Sequence, residues 1–73
     1  MSSKNYEEKT KVSQVVDDIL RDLVTVRKNI SHCGFPGSWR IVAKEVSLIS
    51  DRLNRLSSHM SNYADDFQEE MEN

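Results

Sequence analysis

The chain has 73 residues, a formal net charge of −2, a charged fraction of 30% and one cysteine. A chain of this length forms one small domain, whose own core rarely supplies more than about 3–5 kcal/mol. The single cysteine excludes an intrachain disulfide, and the mixed charge excludes a general attraction to nucleic acid or anionic membranes. Oligomerisation or a protein partner is therefore the expected source of additional stability.

The sequence contains no segment that indicates a membrane or a secretory route. No apolar run reaches the roughly 18 residues that a membrane span requires. Residues 1–8 lack the apolar stretch of a signal peptide. Because a lone cysteine is also typical of reducing compartments, we expect a cytoplasmic protein with no membrane partner.

The first predicted helix extends over residues 6–32. Its apolar residues alternate at steps of three and four, which indicates a heptad seam on one helical face. Asn5 and Glu8 resemble a capping box, and residues 1–4 are expected to be disordered, with room for a short extra helical turn. The seam, which we assign to the core, consists of Val12, Val16, Ile19, Leu23, Val26 and Ile30.

A predicted turn at residues 33–37 separates the helices. Every glycine and proline of the chain lies in the run Gly34-Phe35-Pro36-Gly37. Gly34 suits the left-handed position that ends a helix, and Ser38 is a candidate N-cap for the next one. Because the connection is short, the helices should be antiparallel neighbours, with facing residue numbers that add up to about 70.

The second predicted helix extends over residues 38–69 and carries a longer seam, with residues 71–73 expected to be disordered. Trp39 is expected to close the end of the core with Phe35 folded over it; the alternative is an aromatic anchor for a partner. We assign the first part of this seam to the hairpin core, namely Trp39, Val42, Val46, Ile49, Leu53 and Leu56.

The second helix offers two features to a partner. Because the first helix has only Tyr6 as a large apolar residue at that end, Met60, Tyr63 and Phe67 are expected to lack intramolecular cover. A row of small residues beside the seam would let another helix approach closely, or it simply forms a solvated flank. This row, called the small flank below, consists of Ala43, Ser50, Ser57 and Ala64.

The first helix is also wider in its apolar surface than a single seam. Val15, Leu20 and Val24 lie outside the seam positions. An apolar face broader than one neighbouring helix can cover suggests contact on two sides. The two helices are therefore expected to be part of a larger helical assembly.

Side chains suited to catalysis or metal binding are sparse. His32 and Cys33 are adjacent in the predicted turn and diverge, while His59 lies far along the second helix. This arrangement predicts neither a Cys–His nucleophile nor a metal site, and hence no enzyme activity and no cofactor. Basic residues are interleaved with acidic ones, which disfavours a nucleic-acid partner.

The chain resembles the small co-chaperones of type III secretion needle subunits in bacteria, which are short helical hairpins with a Gly-containing turn. The resemblance implies that the hairpin packs against a larger tetratricopeptide-type chaperone and helps to keep the needle subunit from polymerising prematurely. It spans roughly residues 12–63 and includes Leu20-Arg21-Asp22-Leu23, Arg27-Lys28, Ile30, Gly34, Glu45, Leu48, Ile49 and Leu53.

We therefore predict an all-α, coiled-coil-like antiparallel hairpin with a longer second helix, which acts as a non-enzymatic protein-interaction module. The leading hypothesis is a co-chaperone or small subunit of a bacterial heteromeric complex. One alternative is a homodimeric four-helix-bundle regulator, which could bind nucleic acid. Another is a small phage or plasmid inhibitor that docks on a host protein.

Overall fold

Two antiparallel α-helices make up the hairpin in a computed structural model: α1 over Ser2–Ile30 and α2 over Pro36–Glu72. The structure describes the backbone of residues 2–72 and the side chains of residues 4–71. α1 has 29 residues and α2 has 37, and the described part contains no strand. The predicted all-α hairpin with a longer second helix is confirmed.

The helix ends differ from the predicted ones. α1 begins at Ser2, within the residues 1–4 that were expected to be disordered, and ends at Ile30, before the predicted end at residue 32. α2 begins at Pro36 and continues to Glu72, beyond the predicted end at residue 69. Met1 and Asn73, which were also predicted to be disordered, lie outside the described residues.

Contacts between the helices explain why α1 begins early. Lys4 Nζ lies 3.0 Å from Glu70 Oε1, and the Tyr63 hydroxyl donates to Asn5 Oδ1 at 3.2 Å. Asn5 is therefore part of the helix and binds across the hairpin, so the predicted capping box is wrong. Tertiary contacts of this kind routinely override local end signals.

The end of α1 also differs from the predicted left-handed glycine cap. The N–H groups of Ser31, His32 and Cys33 donate to carbonyl oxygens three residues earlier, at 3.0–3.2 Å. No glycine among the described residues has a positive φ, so the left-handed assignment of Gly34 is wrong. In the last turn of α1, hydrogen bonds between residues three apart satisfy the terminal carbonyl groups instead.

The start of α2 is set by proline. Pro36 is the first helical residue, where its missing N–H costs nothing and its fixed φ suits the helix. Ser38 consequently lies inside the first turn, and its Oγ accepts from the N–H groups of Gly34 and Phe35 at 3.3 and 3.4 Å. Ser38 thus reaches back from the third helical position and is not the N-cap.

The core is centred on one residue per heptad of each helix. Ile19 and Val26 of α1 and Val42 and Ile49 of α2 are buried, with Cys33 and Leu56 packed against them. The other apolar position of each heptad is open to solvent. The sequence-based assignment of the six residues at this position to the core is therefore wrong. These residues, which are 39–53% exposed, are Val16, Leu23, Ile30, Trp39, Val46 and Leu53.

Candidate functional site

The hairpin is one layer of helices, with principal dimensions of 58 × 17 × 9 Å. It therefore has two broad faces, one on each side of the line of core residues. Residues three positions after a core residue project to one side of that line, and residues four positions after it project to the other. Because the helices are antiparallel, corresponding positions of α1 and α2 lie on the same broad face.

The first broad face, called the polar face, carries side-chain pairs that bridge the helices. Asn29 Nδ2 donates to Glu45 Oε1 at 3.2 Å, and His59 Nε2 lies 2.6 Å from Glu8 Oε2. The residue numbers of each pair add up to about 70, as the antiparallel register predicts. The polar face is defined by the pairs Glu8–His59, Asp22–Arg52 and Asn29–Glu45.

The polar pairs explain the uneven burial of the seam. Asp22 and Arg52 form an ion pair, and both are only partly exposed, as are Asn29 and Glu45. Contact between these long polar side chains keeps the helices rotated toward the polar face. The second seam position of each helix is consequently turned away from the neighbouring helix.

A groove of about 360 Å³ interrupts the polar face. Val12, Val15 and Leu56 form its apolar part. Its polar edge consists of three cations, Lys11, Arg52 and Arg55, together with His59. Arg52 already lies against Asp22, which lowers the attraction of the groove for an anion, and His59 lies against Glu8.

The second broad face, called the apolar face, has no comparable bridging pairs among the described residues. Its two stripes are apolar and 39–53% exposed at every position within residues 16–30 of α1 and 39–60 of α2, and Lys9 occupies the next position of the α1 stripe. The stripes extend along most of the hairpin, so the open surface is continuous rather than scattered. The apolar face consists of Val16, Leu23, Ile30, Trp39, Val46, Leu53 and Met60.

Small residues border the apolar face on α2, and large apolar residues border it on α1. On α2 lies the small flank predicted from the sequence, and all four of its residues are exposed. On α1 lies a set of large apolar residues, called the bulky flank, namely Tyr6, Leu20 and Val24, which are 54–71% exposed. One edge of the face is thus recessed and the other projects.

The aromatic pair near the end of α2 is less open than predicted. Tyr63 and Phe67 are half-buried and contact each other edge to face, with ring centroids 5.8 Å apart. The prediction that they lack intramolecular cover is wrong because α1 extends to Ser2 and continues beside them. Met60 is 49% exposed and belongs to the apolar face.

The aromatic residues at the turn also differ from expectation. Trp39 is 53% exposed and Phe35 is 65% exposed, so neither closes the end of the core. Cys33 takes that position and donates its S–H to the Asn29 carbonyl at 3.5 Å. Trp39 lies on the apolar face, and the alternative interpretation, that it is an aromatic anchor for a partner, stays a prediction.

The sequence prediction placed most of the apolar face in the core and so missed it as a site. The overlooked signal was the asymmetry of the residues beside each seam. Polar residues recur at steps of seven on one side, as with Asp22 and Asn29 or Glu45 and Arg52. Complementary polar side chains beside an apolar seam are typical of side chains that pair between neighbouring helices.

The described residues contain neither a metal-binding cluster nor a helix that could span a membrane. No group of three His, Cys, Asp or Glu side chains converges as a metal site within residues 4–71. Neither helix, over the part that the structure describes, is long and apolar enough to cross a membrane. An ion pair with Glu70 raises the pKa of Lys4 through a hydrogen bond and Coulomb attraction, on a fully exposed surface.

Comparison with protein-family models, curated proteins and solved structures finds no match to this chain. The resemblance to needle-subunit co-chaperones therefore stays a prediction from the sequence. The apolar face is the feature of the structure from which a function is argued below.

Proposed function

We propose that this chain is a non-enzymatic protein-interaction module whose apolar face packs against helices of a partner protein. The carrying observation is the continuous row of half-exposed apolar side chains on one side of the hairpin. Together they leave on the order of 600 Å² of apolar surface open, at the upper end of the largest patches on monomeric proteins.

The small core supports the same proposal. Four apolar side chains form the buried core within residues 4–71, and a hairpin of this size rarely gains enough from its own core to be very stable. A partner that covers Leu23, Val46 and Leu53 would bury the half-exposed apolar position in the heptads of each helix. Binding would then contribute to the folding of the hairpin as well as to recognition.

Within this class, the resemblance favours a small co-chaperone in a bacterial type III secretion needle-chaperone complex. The chain would act in the cytoplasm and stabilise a larger chaperone of the tetratricopeptide type. Such a chaperone is built from paired helices, which would pack against the apolar face. The small flank would let one of these helices approach α2 closely, with Met60 near one end of the contact.

A matched leucine pair on α2 tests the proposal. Leu53 is 46% exposed on the apolar face, and Leu48 is 58% exposed beside the polar face. We expect a tagged wild-type chain and its Leu48→Ser variant to recover the same stoichiometric helical protein from the native host. The Leu53→Ser variant should lose at least about 90% of it, because the substitution removes apolar area that the partner covers.

Circular dichroism of both variants provides the control, since each should stay helical at the concentration used. Retention of the helical protein by Leu53→Ser, together with its loss from Leu48→Ser, would contradict the proposal. That outcome would place the contact on the polar face.

A further inference from the structure

We infer that, when no other partner is bound, a second copy of this chain covers the apolar face. The two hairpins form a four-helix bundle with both turns at the same end, and α1 of each copy packs over α2 of the other. This inference rests on the proposed function in one respect, because it uses the same face as the interaction surface.

The apolar face is large enough to contribute to a dimer interface. Complete burial of two apolar faces against each other removes about 1,200 Å² from solvent, which reaches the lower bound for stable and specific interfaces. The bulky flank adds further area, because Leu20 is 54% exposed and Val24 is 68% exposed. A homodimer therefore has enough apolar surface to form without any other chain.

The charged residues near the apolar face do not prevent self-association. The apolar face and the small flank contain no charged residue, but Lys9 continues the stripe of Val16 and Arg27 shares the helical row of Leu20. With α1 of one copy over α2 of the other, Lys9 lies near the height of Met60 and Arg27 at the height of Ala43, so like charges are not placed opposite each other. The bridging ion pairs, such as Asp22–Arg52, lie on the polar face and stay in solvent.

The shapes of the bulky flank and the small flank select the arrangement of the two copies. In the antiparallel hairpin, residues whose numbers add up to about 70 lie at the same height, as Asn5 and Tyr63 do. A twofold axis parallel to the helices preserves height and places α1 over α2 of the other copy. Leu20 of each copy then packs against Ser50 of the other copy. Because of the twofold symmetry, the interface contains this contact of a large side chain with a small one twice.

The alternative arrangement, with turns at opposite ends, does not match the flanks. It stacks α1 on α1 and α2 on α2, which places bulky flank over bulky flank and small flank over small flank. One edge of the bundle would be crowded and the other would contain a gap. Interfaces pack at the density of protein interiors, so the arrangement with both turns at one end is favoured.

The oligomeric state is tested with a matched serine pair on α2. Ser50 lies in the small flank, whereas Ser58 is exposed on the outer side of the helix, away from both broad faces. We expect a wild-type dimer in sedimentation equilibrium, a dissociation constant at least about tenfold higher for Ser50→Arg, and an unchanged one for Ser58→Arg. If Ser50→Arg loses helicity, Ala64→Arg at the far end of the small flank repeats the test.

Trp39, the single tryptophan, reports the same equilibrium because it lies on the apolar face and is 53% exposed in one hairpin. Its emission should shift to longer wavelength on dilution of the wild type and should already be shifted in Ser50→Arg. A wild-type chain that is monomeric up to about 1 mM, or a dimer that Ser50→Arg does not weaken, would overturn the inference.

The arrangement of the copies is tested with a spin label at the turn. A Cβ at Gly34 meets no atom within 4 Å, so Gly34→Cys in a Cys33→Ser background accommodates a label. We expect a distance between the two labels below about 30 Å, because both turns lie at one end. A distance near the 58 Å length of the hairpin would overturn the proposed arrangement.

The inference and the proposed function fail in different ways. A monomeric wild type whose Leu53→Ser variant loses the helical partner overturns the homodimer and leaves the proposed function standing. A dimer that Ser50→Arg dissociates, combined with a partner retained by Leu53→Ser, supports the homodimer and overturns the proposed function.

Discussion

The two broad faces of the hairpin solve the same packing problem in different ways. On the polar face, side chains such as Asp22 and Arg52 pair across the helices and satisfy each other within one chain. On the apolar face, side chains such as Leu23 and Leu53 are half exposed and are covered by no other part of the described chain. The comparison indicates that the polar face sets how the helices meet and the apolar face is available for association.

The largest expected effect comes from the core between the faces. Ile49→Ala removes buried atoms from a side chain that is 6% exposed and should cost about 2–5 kcal/mol, comparable to the stability of a hairpin this small. We therefore expect loss of most helicity in circular dichroism. Ile41→Ala, at a residue that is 65% exposed, is the matched control and should leave the thermal midpoint nearly unchanged.

A smaller effect is expected from the ion pair of the polar face. Asp22 and Arg52 are partly exposed, so a double-mutant cycle with alanine at both positions should give a coupling free energy of about 0.2–1 kcal/mol. High salt should reduce this coupling, because solvent ions screen exposed charges. Glu8–His59 and Asn29–Glu45 still bridge the helices when this pair is removed. The helix rotation should therefore persist and the dimer dissociation constant should be unchanged; a large change would assign an association role to this face.

The smallest effect is expected at the free ends of the helices. Glu70 raises the pKa of Lys4 above its ordinary value of 10.5, so the pair favours folding below that pH and loses this contribution as pH rises through the raised pKa. Because the pair is fully exposed, we expect Lys4→Gln to change the thermal midpoint only marginally near neutral pH. Any difference between wild type and variant should disappear as pH rises above the raised pKa of Lys4; a difference that grows with pH would contradict this account.

The sequence was sufficient to predict the hairpin. The glycine and proline residues between 34 and 37 mark one break, and the heptad seams on either side of it predict two helices that meet along one line. The register followed from the short turn, and pairs such as Glu8–His59 agree with it. These features are local or periodic, so they can be inferred without coordinates.

The apolar face could not be assigned from the seam alone. Leu23 and Val26 both occupy seam positions, yet Val26 is 6% exposed and Leu23 is 41% exposed. The difference depends on the rotation of each helix about its axis, which is set by contacts such as that between Asp22 and Arg52, thirty residues apart. The early start of α1 likewise depends on a distant residue, Glu70.

The most direct test of the account compares adjacent valines on α1. Val15 lies beside the polar face and Val16 on the apolar face, and their exposed fractions are nearly equal at 38% and 39%. The measurement is the dissociation constant of the complex that the full chain forms, either with itself or with its helical partner, for Val15→Ser and Val16→Ser.

The account predicts an affinity about fivefold to tenfold weaker for Val16→Ser and unchanged within twofold for Val15→Ser, because only Val16 is covered in the complex. Equal effects of the two substitutions, or a larger effect of Val15→Ser, would contradict the assignment of association to the apolar face.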